Sequence, residues 1–113
     1  NLNFSSSANQ LVDRIRAFSS WPGCGFFIDG KKIRIGSALS FKNEYALQPG
    51  EIKVDSNRSI FIGTGDGILV PKLLQRPGGK MLETEDFLRG FHFPFDQTLE
   101  SLPMNSLLRG AQE

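Results

Sequence analysis

Few residues in this chain could carry chemistry: one cysteine (Cys24), one histidine (His92), three carboxylates (Glu83, Glu85 and Asp86) and a glycine-rich run, Gly63-Thr64-Gly65-Asp66-Gly67. The glycine run resembles a phosphate loop, but such a loop needs a helix N-terminus behind it to face the anion. Ile68, Leu69 and Val70 follow instead, so the run reads as a hairpin turn. Cys24 lies among apolar residues without a nearby base and reads as a buried structural thiol rather than a nucleophile. His92 stands between Phe91 and Phe93, with no adjacent nucleophile or ligand. The three carboxylates precede or open a short helix, where acids complement the helix dipole. No catalytic residues and no metal site are expected.

Cations are the more productive signal. Eleven Lys/Arg against six Asp/Glu precede Glu83, a balance of +5, while two against six from Glu83 onward give −4. A basic body of this kind points to a polyanion as partner. Candidates are Arg14 and Arg16 on a first helix, Lys31, Lys32 and Arg34 on a hairpin, and Lys72, Arg76 and Lys80 near a last strand. Phosphate binding accumulates over contacts, so it requires these side chains to converge.

The elements that must position them are short. Ser7 is a plausible N-cap for a helix whose core face is Ala8, Leu11, Val12, Ile15 and Phe18, leaving Asp13, Arg14 and Arg16 on its other sides. Pro22 and Gly23 are expected to stop that helix after Trp21. From Gly23 to Gln75 the pattern is β-type. Gly25 to Ile28, an Asp29-Gly30 turn and Lys31 to Ser40 form a hairpin in which Lys32 and Arg34 share the face opposite Ile33 and Ile35. Further strands fall at Gly50 to Val54, Ser59 to Gly63 and Gly67 to Gln75, with turns at Ser56-Asn57 and Asp66-Gly67. Thr84 is placed to cap a helix from Glu85 to Arg89, closed by Gly90 in a left-handed conformation. The predicted class is mainly β, a five-stranded OB-like antiparallel barrel with an N-terminal helix and a short C-terminal helix. Residues 1–90 form that domain, and residues 91–113 a tail lying partly on it.

One domain suits 113 residues, and ten Phe with 39% hydrophobic residues suffice for a core. No apolar run is long enough for a membrane helix, so a soluble chain with no membrane partner is expected. A single cysteine permits no internal disulfide or cysteine metal cluster and fits a reducing cytoplasm.

Several segments then match one family in order. Arg14-Ile15-Arg16-Ala17-Phe18 and Trp21-Pro22-Gly23 resemble the "IRAF…WPG" opening of the C-terminal domain of methionyl-tRNA formyltransferases. Asp29-Gly30-Lys31-Lys32-Ile33-Arg34-Ile35 resembles its "DGKRLKI" hairpin, Pro49-Gly50 its next strand start, and Thr64-Gly65-Asp66-Gly67 its "TGDG" turn. Gly79-Lys80-Met81 with Glu85-Asp86-Phe87-Leu88-Arg89-Gly90 is similar to the "GKK…EDFLRG" ending. The resemblance runs from Leu2 to Gly90, and its specificity lies in the colinear set.

It implies an OB-like domain whose basic face holds initiator tRNA. A separate N-terminal domain would move the formyl group from 10-formyltetrahydrofolate to the methionyl amine, and no cofactor is expected in this one. Carried over by position, the resemblance supports Arg14, Arg16, Lys31, Lys32, Arg34 and Lys80, while Lys72 and Arg76 rest on charge alone. Met81 stands where many relatives have a second basic residue, and the acidic stretch after Gly90 is longer than the family ending. A monomer in the cytoplasm is expected, without formyl transfer by this chain on its own. Two alternatives stay open: the supporting barrel of a sugar-nucleotide formyltransferase, and an interaction domain that covers its phenylalanines on a partner.

Overall fold

In a computed structural model, the structure describes residues 2–18 and 23–91. The predicted stop at Trp21-Pro22, His92, and the tail containing Phe93, Phe95, Leu107 and Leu108 lie outside these residues.

Helix α1 (Ala8–Ala17) opens on a capping box: the Ser7 side chain accepts from the Gln10 N–H, and the Gln10 side chain accepts from the Ser7 N–H. Ala8, Leu11 and Ile15 are buried, with Val12 and Phe18 packed beside them. The helix ends at Ala17 with Phe18 as its cap, earlier than Pro22 suggests. Arg14 departs from expectation too, being buried at 8% exposed with its guanidinium 5.3 Å over the Phe18 ring. Its spacing from Leu11 and Ile15 places it at the margin of the core face, where the ring covers the cation.

Strands β1 (Cys24–Ile28) and β2 (Lys31–Phe41) form the expected two-residue hairpin, with Asp29 at φ 51° and Gly30 at φ 78°. Then come β3 (Ile52–Val54), β4 (Ile60–Gly63) and β5 (Ile68–Gln75). All pairings are antiparallel in the order β1-β2-β5-β4-β3, and the sheet curls into a half-barrel around a core that includes Phe4, Leu11, Ile33, Ile60, Ile62, Leu69 and Leu74. The mainly β class, its five-stranded barrel-like sheet and its two flanking helices hold. A further two-residue strand, β6 (Leu82–Glu83), pairs with Leu73 and Leu74 of β5.

Two turns repay a closer look. After Val54, Asp55 accepts at its side chain from the N–H groups of Asn57 and Ser59, making the Ser56-Asn57 turn an Asx turn. The glycine-rich run is indeed a turn into β5: the Thr64 N–H and hydroxyl both donate to the Gly67 carbonyl, at 3.2 and 2.6 Å. It also seats the start of the chain, since Gly65 N–H donates to Ser6 O and Ala8 N–H to Asp66 O, each at 2.9 Å. A side chain at position 65 would collide with the Ser5 carbonyl, which explains the glycine there.

Helix α2 (Thr84–Gly90) corrects the expected caps. Its N-cap is Glu83, without a side-chain cap bond, because the Thr84 hydroxyl donates instead to the Pro71 carbonyl at 2.7 Å. Gly90 belongs to the helix, Phe91 caps it, and Phe87 stacks on Phe91 at 5.0 Å. Docking to the sheet has replaced local capping. Among the described residues, no helix is long and apolar enough to cross a membrane.

Candidate nucleic-acid interface

Strand pairing decides which cations can act together. Ile33 and Ile35 are buried in the core, so the alternate residues Lys32 and Arg34 stand on the outer face of β2. There Lys32 lies opposite Phe27 of β1, and Arg34 lies between Gly25 of β1 and Gln75 of β5. Gln75 is the joint of the site: its Oε1 accepts from Arg34 Nη1 at 3.1 Å, and its Nε2 donates to the Gly79 carbonyl at 2.8 Å. Through that side chain the outer row of β2 is tied to the Arg76–Lys80 turn.

The turn brings two more cations. Arg76 and Lys80 are exposed and line one groove with Leu82, Asp86, Phe87 and Phe91. The carboxylate in its lining, Asp86, is already engaged, bonding Arg89 at 3.0 Å. Lys31, at the hairpin turn beside Lys32, is exposed. Lys32 and Arg34 are alternate residues about 7 Å apart on the outer face of β2, and Gln75 sets Arg34 beside the turn that carries Arg76 and Lys80, which makes a basic field at this end of the sheet. Such a field can hold phosphates. Among the described residues no cluster of three or more His, Cys, Asp or Glu could hold a metal ion.

A family profile described as "Formyl transferase, C-terminal domain" matches residues 1–92. The chain belongs to the formyl transferase C-terminal domain family. It is 37% identical over 91 residues to a methionyl-tRNA formyltransferase of Janthinobacterium sp. (strain Marseille), covering 80% of this chain and 29% of that protein. A methionyl-tRNA formyltransferase of Rickettsia bellii (strain RML369-C) is 38% identical over 93 residues, covering 82% of this chain and 30% of that protein. One from Variovorax paradoxus (strain S110) is 34% identical over 91 residues, again covering 80% and 29%. The chain therefore spans less than a third of the length of the curated relatives it matches.

In this formyl transferase C-terminal domain the eight predicted cations separate. Lys31, Lys32, Arg34, Arg76 and Lys80 gather at the hairpin and the β5–β6 turn. Arg14 is buried against Phe18. Arg16 is exposed on α1, 3.6 Å from Asp13, with both side chains about three-quarters solvated. Lys72 lines a different groove with Arg58, Glu83 and Glu85, where acids offset the positive charge. Sequence reasoning missed Gln75, because only the β2–β5 register sets it opposite Arg34. The Met81 thioether lies over Gly36 of β2, where an added Cβ would meet it at 2.9 Å.

Proposed function

We propose that this domain holds initiator tRNA by its phosphate backbone and presents the acceptor end to a formyl-transferring domain upstream in the same chain, with 10-formyltetrahydrofolate as the donor and the cytoplasm as the setting. Support comes chiefly from one observation: Gln75 ties Arg34 to the Arg76–Lys80 turn, so that cations from two separate stretches of sequence act as one field. Relatives named methionyl-tRNA formyltransferases make tRNA the polyanion of choice. Each phosphate neutralised by Lys or Arg releases condensed counterions, so attraction accumulates over contacts without reading sequence. The domain's contribution to the reaction is positional: it converts an encounter into a fixed orientation of the aminoacyl end.

The test is a titration of labelled initiator tRNA at two salt concentrations, with the chain as it stands and with Lys32 and Arg34 both changed to alanine. Expected is binding that weakens with salt, and a double variant whose slope of log K against log salt is shallower by roughly one unit per lost contact. Equal affinity for the two proteins at low salt would remove the hairpin from the interface. Absence of binding at low salt, in this chain and in the full parent protein, would remove tRNA.

A further inference from the structure

The groove between the β5–β6 turn and α2 has a floor as well as a rim. Arg76 and Lys80 stand exposed at its edge, while Leu82, Phe87 and Phe91 supply apolar surface inside it. Phe87 is 3% exposed and fixed in the core, Phe91 rests on it with ring centroids 5.0 Å apart, and Leu82 is 38% exposed. The cavity measures about 320 Å³, at the lower end of the range for small-molecule sites and enough for one flat, compact group. Asp86 is the acid in the lining, and its bond to Arg89 at 3.0 Å leaves the two cations to set the sign of the rim.

Charge and position select the occupant. Cations over an apolar, aromatic floor match the two halves of a nucleotide, a phosphate and a base whose faces are free. A paired duplex offers only the first half, because its base faces are covered by their neighbours in the stack. Position favours RNA over an acidic peptide: Gln75 bonds both Arg34 and the Gly79 carbonyl, so the groove continues the row of cations on β2. A strand whose phosphates follow that row has its continuation at the groove. Contact with the floor is indifferent to base identity, since every base has a π face.

We infer that this groove receives one unpaired nucleotide of the bound RNA, its base on the Leu82–Phe87–Phe91 floor and its phosphate on Arg76 and Lys80. The inference rests on the proposed reading of the domain as an RNA holder. Gly90 gives a way to fill the groove without touching a charge: it lines the cavity, and a Cβ added to it would meet nothing within 4 Å. The unsubstituted chain, Gly90→Leu and Gly90→Ala are titrated at low salt with initiator tRNA, with a single-stranded RNA of about ten nucleotides, and with that strand annealed to its complement. Gly90→Leu is expected to lose about 5-fold or more in affinity for the single strand, to stay within about 2-fold for the duplex, and to keep its salt slope, because no cation is removed. Gly90→Ala, which adds one methyl group, is expected to bind all three RNAs like the unsubstituted chain. Both variants are expected to unfold at or above the temperature of the unsubstituted chain, since alanine and leucine favour a helix over glycine. Unchanged single-strand affinity in Gly90→Leu would overturn the inference, as would an equal loss for strand and duplex, or a loss of the same size in Gly90→Ala, which would trace to the helix end. Binding of the single strand without binding of initiator tRNA would fault the proposed function and leave the groove standing. Binding of neither RNA would overturn both.

Discussion

Replacing Gln75 with alanine removes two side-chain hydrogen bonds, from Arg34 at 3.1 Å and to the Gly79 carbonyl at 2.8 Å, while leaving the charge of the domain untouched. Each bond is worth about 0.5–1.5 kcal/mol net, so stability is expected to fall by about 1–3 kcal/mol, or roughly 4–8 °C in Tm for each kcal/mol. The effect on RNA binding has a different origin. Arg34 would have to be ordered on binding instead of beforehand, which costs about 0.5–1.5 kcal/mol per immobilised side chain and lowers affinity about 2- to 13-fold. Fluorescence anisotropy with labelled initiator tRNA, well below Tm, measures this at 50 and 200 mM salt. Because no cation is lost, the salt slope of Gln75→Ala is expected to match the parent sequence. Arg34→Ala, in contrast, should become less salt-sensitive by about 3.5-fold over that range, the equivalent of one contact. An affinity for Gln75→Ala within 1.5-fold of the unsubstituted chain, together with a loss for Arg34→Ala, would refute the view that the tie prepares the site.

Three further substitutions probe the architecture. Gly65→Ala is expected to lower stability by about 2 kcal/mol or more, because the new Cβ meets the Ser5 carbonyl; thermal unfolding within 2 °C of the parent would show that the N-terminal segment is not seated there. Arg14→Ala is expected to destabilise through lost packing over Phe18 without changing the salt slope of tRNA binding, and a shallower slope in the same titration would return Arg14 to the interface. Lys72→Ala, in the groove it shares with Glu83 and Glu85, is expected to leave tRNA affinity within about 2-fold, whereas Lys32→Ala weakens it by about 3-fold or more at 200 mM salt; equal losses would place both on one face.

Local chemistry was readable where it acted over a few residues. Ser7 with Gln10 makes a capping box, Asp29-Gly30 a hairpin turn, and Cys24 a buried thiol whose Sγ donates to the Arg14 carbonyl at 3.6 Å. Features set by distant partners were not readable. Thr84 looked like a cap because the Pro71 carbonyl that takes its hydroxyl lies 13 residues away. The convergence of Lys32 and Arg34 with Arg76 and Lys80 depends on Arg34 and Gln75 meeting across 41 residues, a pairing that no local pattern encodes.

The division of the outer face has a single cause that strand periodicity alone would misplace. A strictly alternating β2 would set Leu39 and Phe41 on the same side as Ile33 and Ile35, in the core. The register instead runs from Ile35 opposite Leu74 to Ser37 opposite Leu73, then to Ala38 opposite Pro71, skipping Gly36 on β2 and Lys72 on β5. Each bulge shifts its strand by one residue, which exchanges its two faces. Before the break the even positions Lys32 and Arg34 face outward; after it Ala38 turns in, 7% exposed, and the odd positions Leu39 and Phe41 turn out. One outer surface therefore carries Lys32 and Arg34 toward one end and Leu39 and Phe41 toward the other. The break also accounts for Lys72, which as the bulged residue on β5 stands apart from the row defined by Arg34 and Gln75.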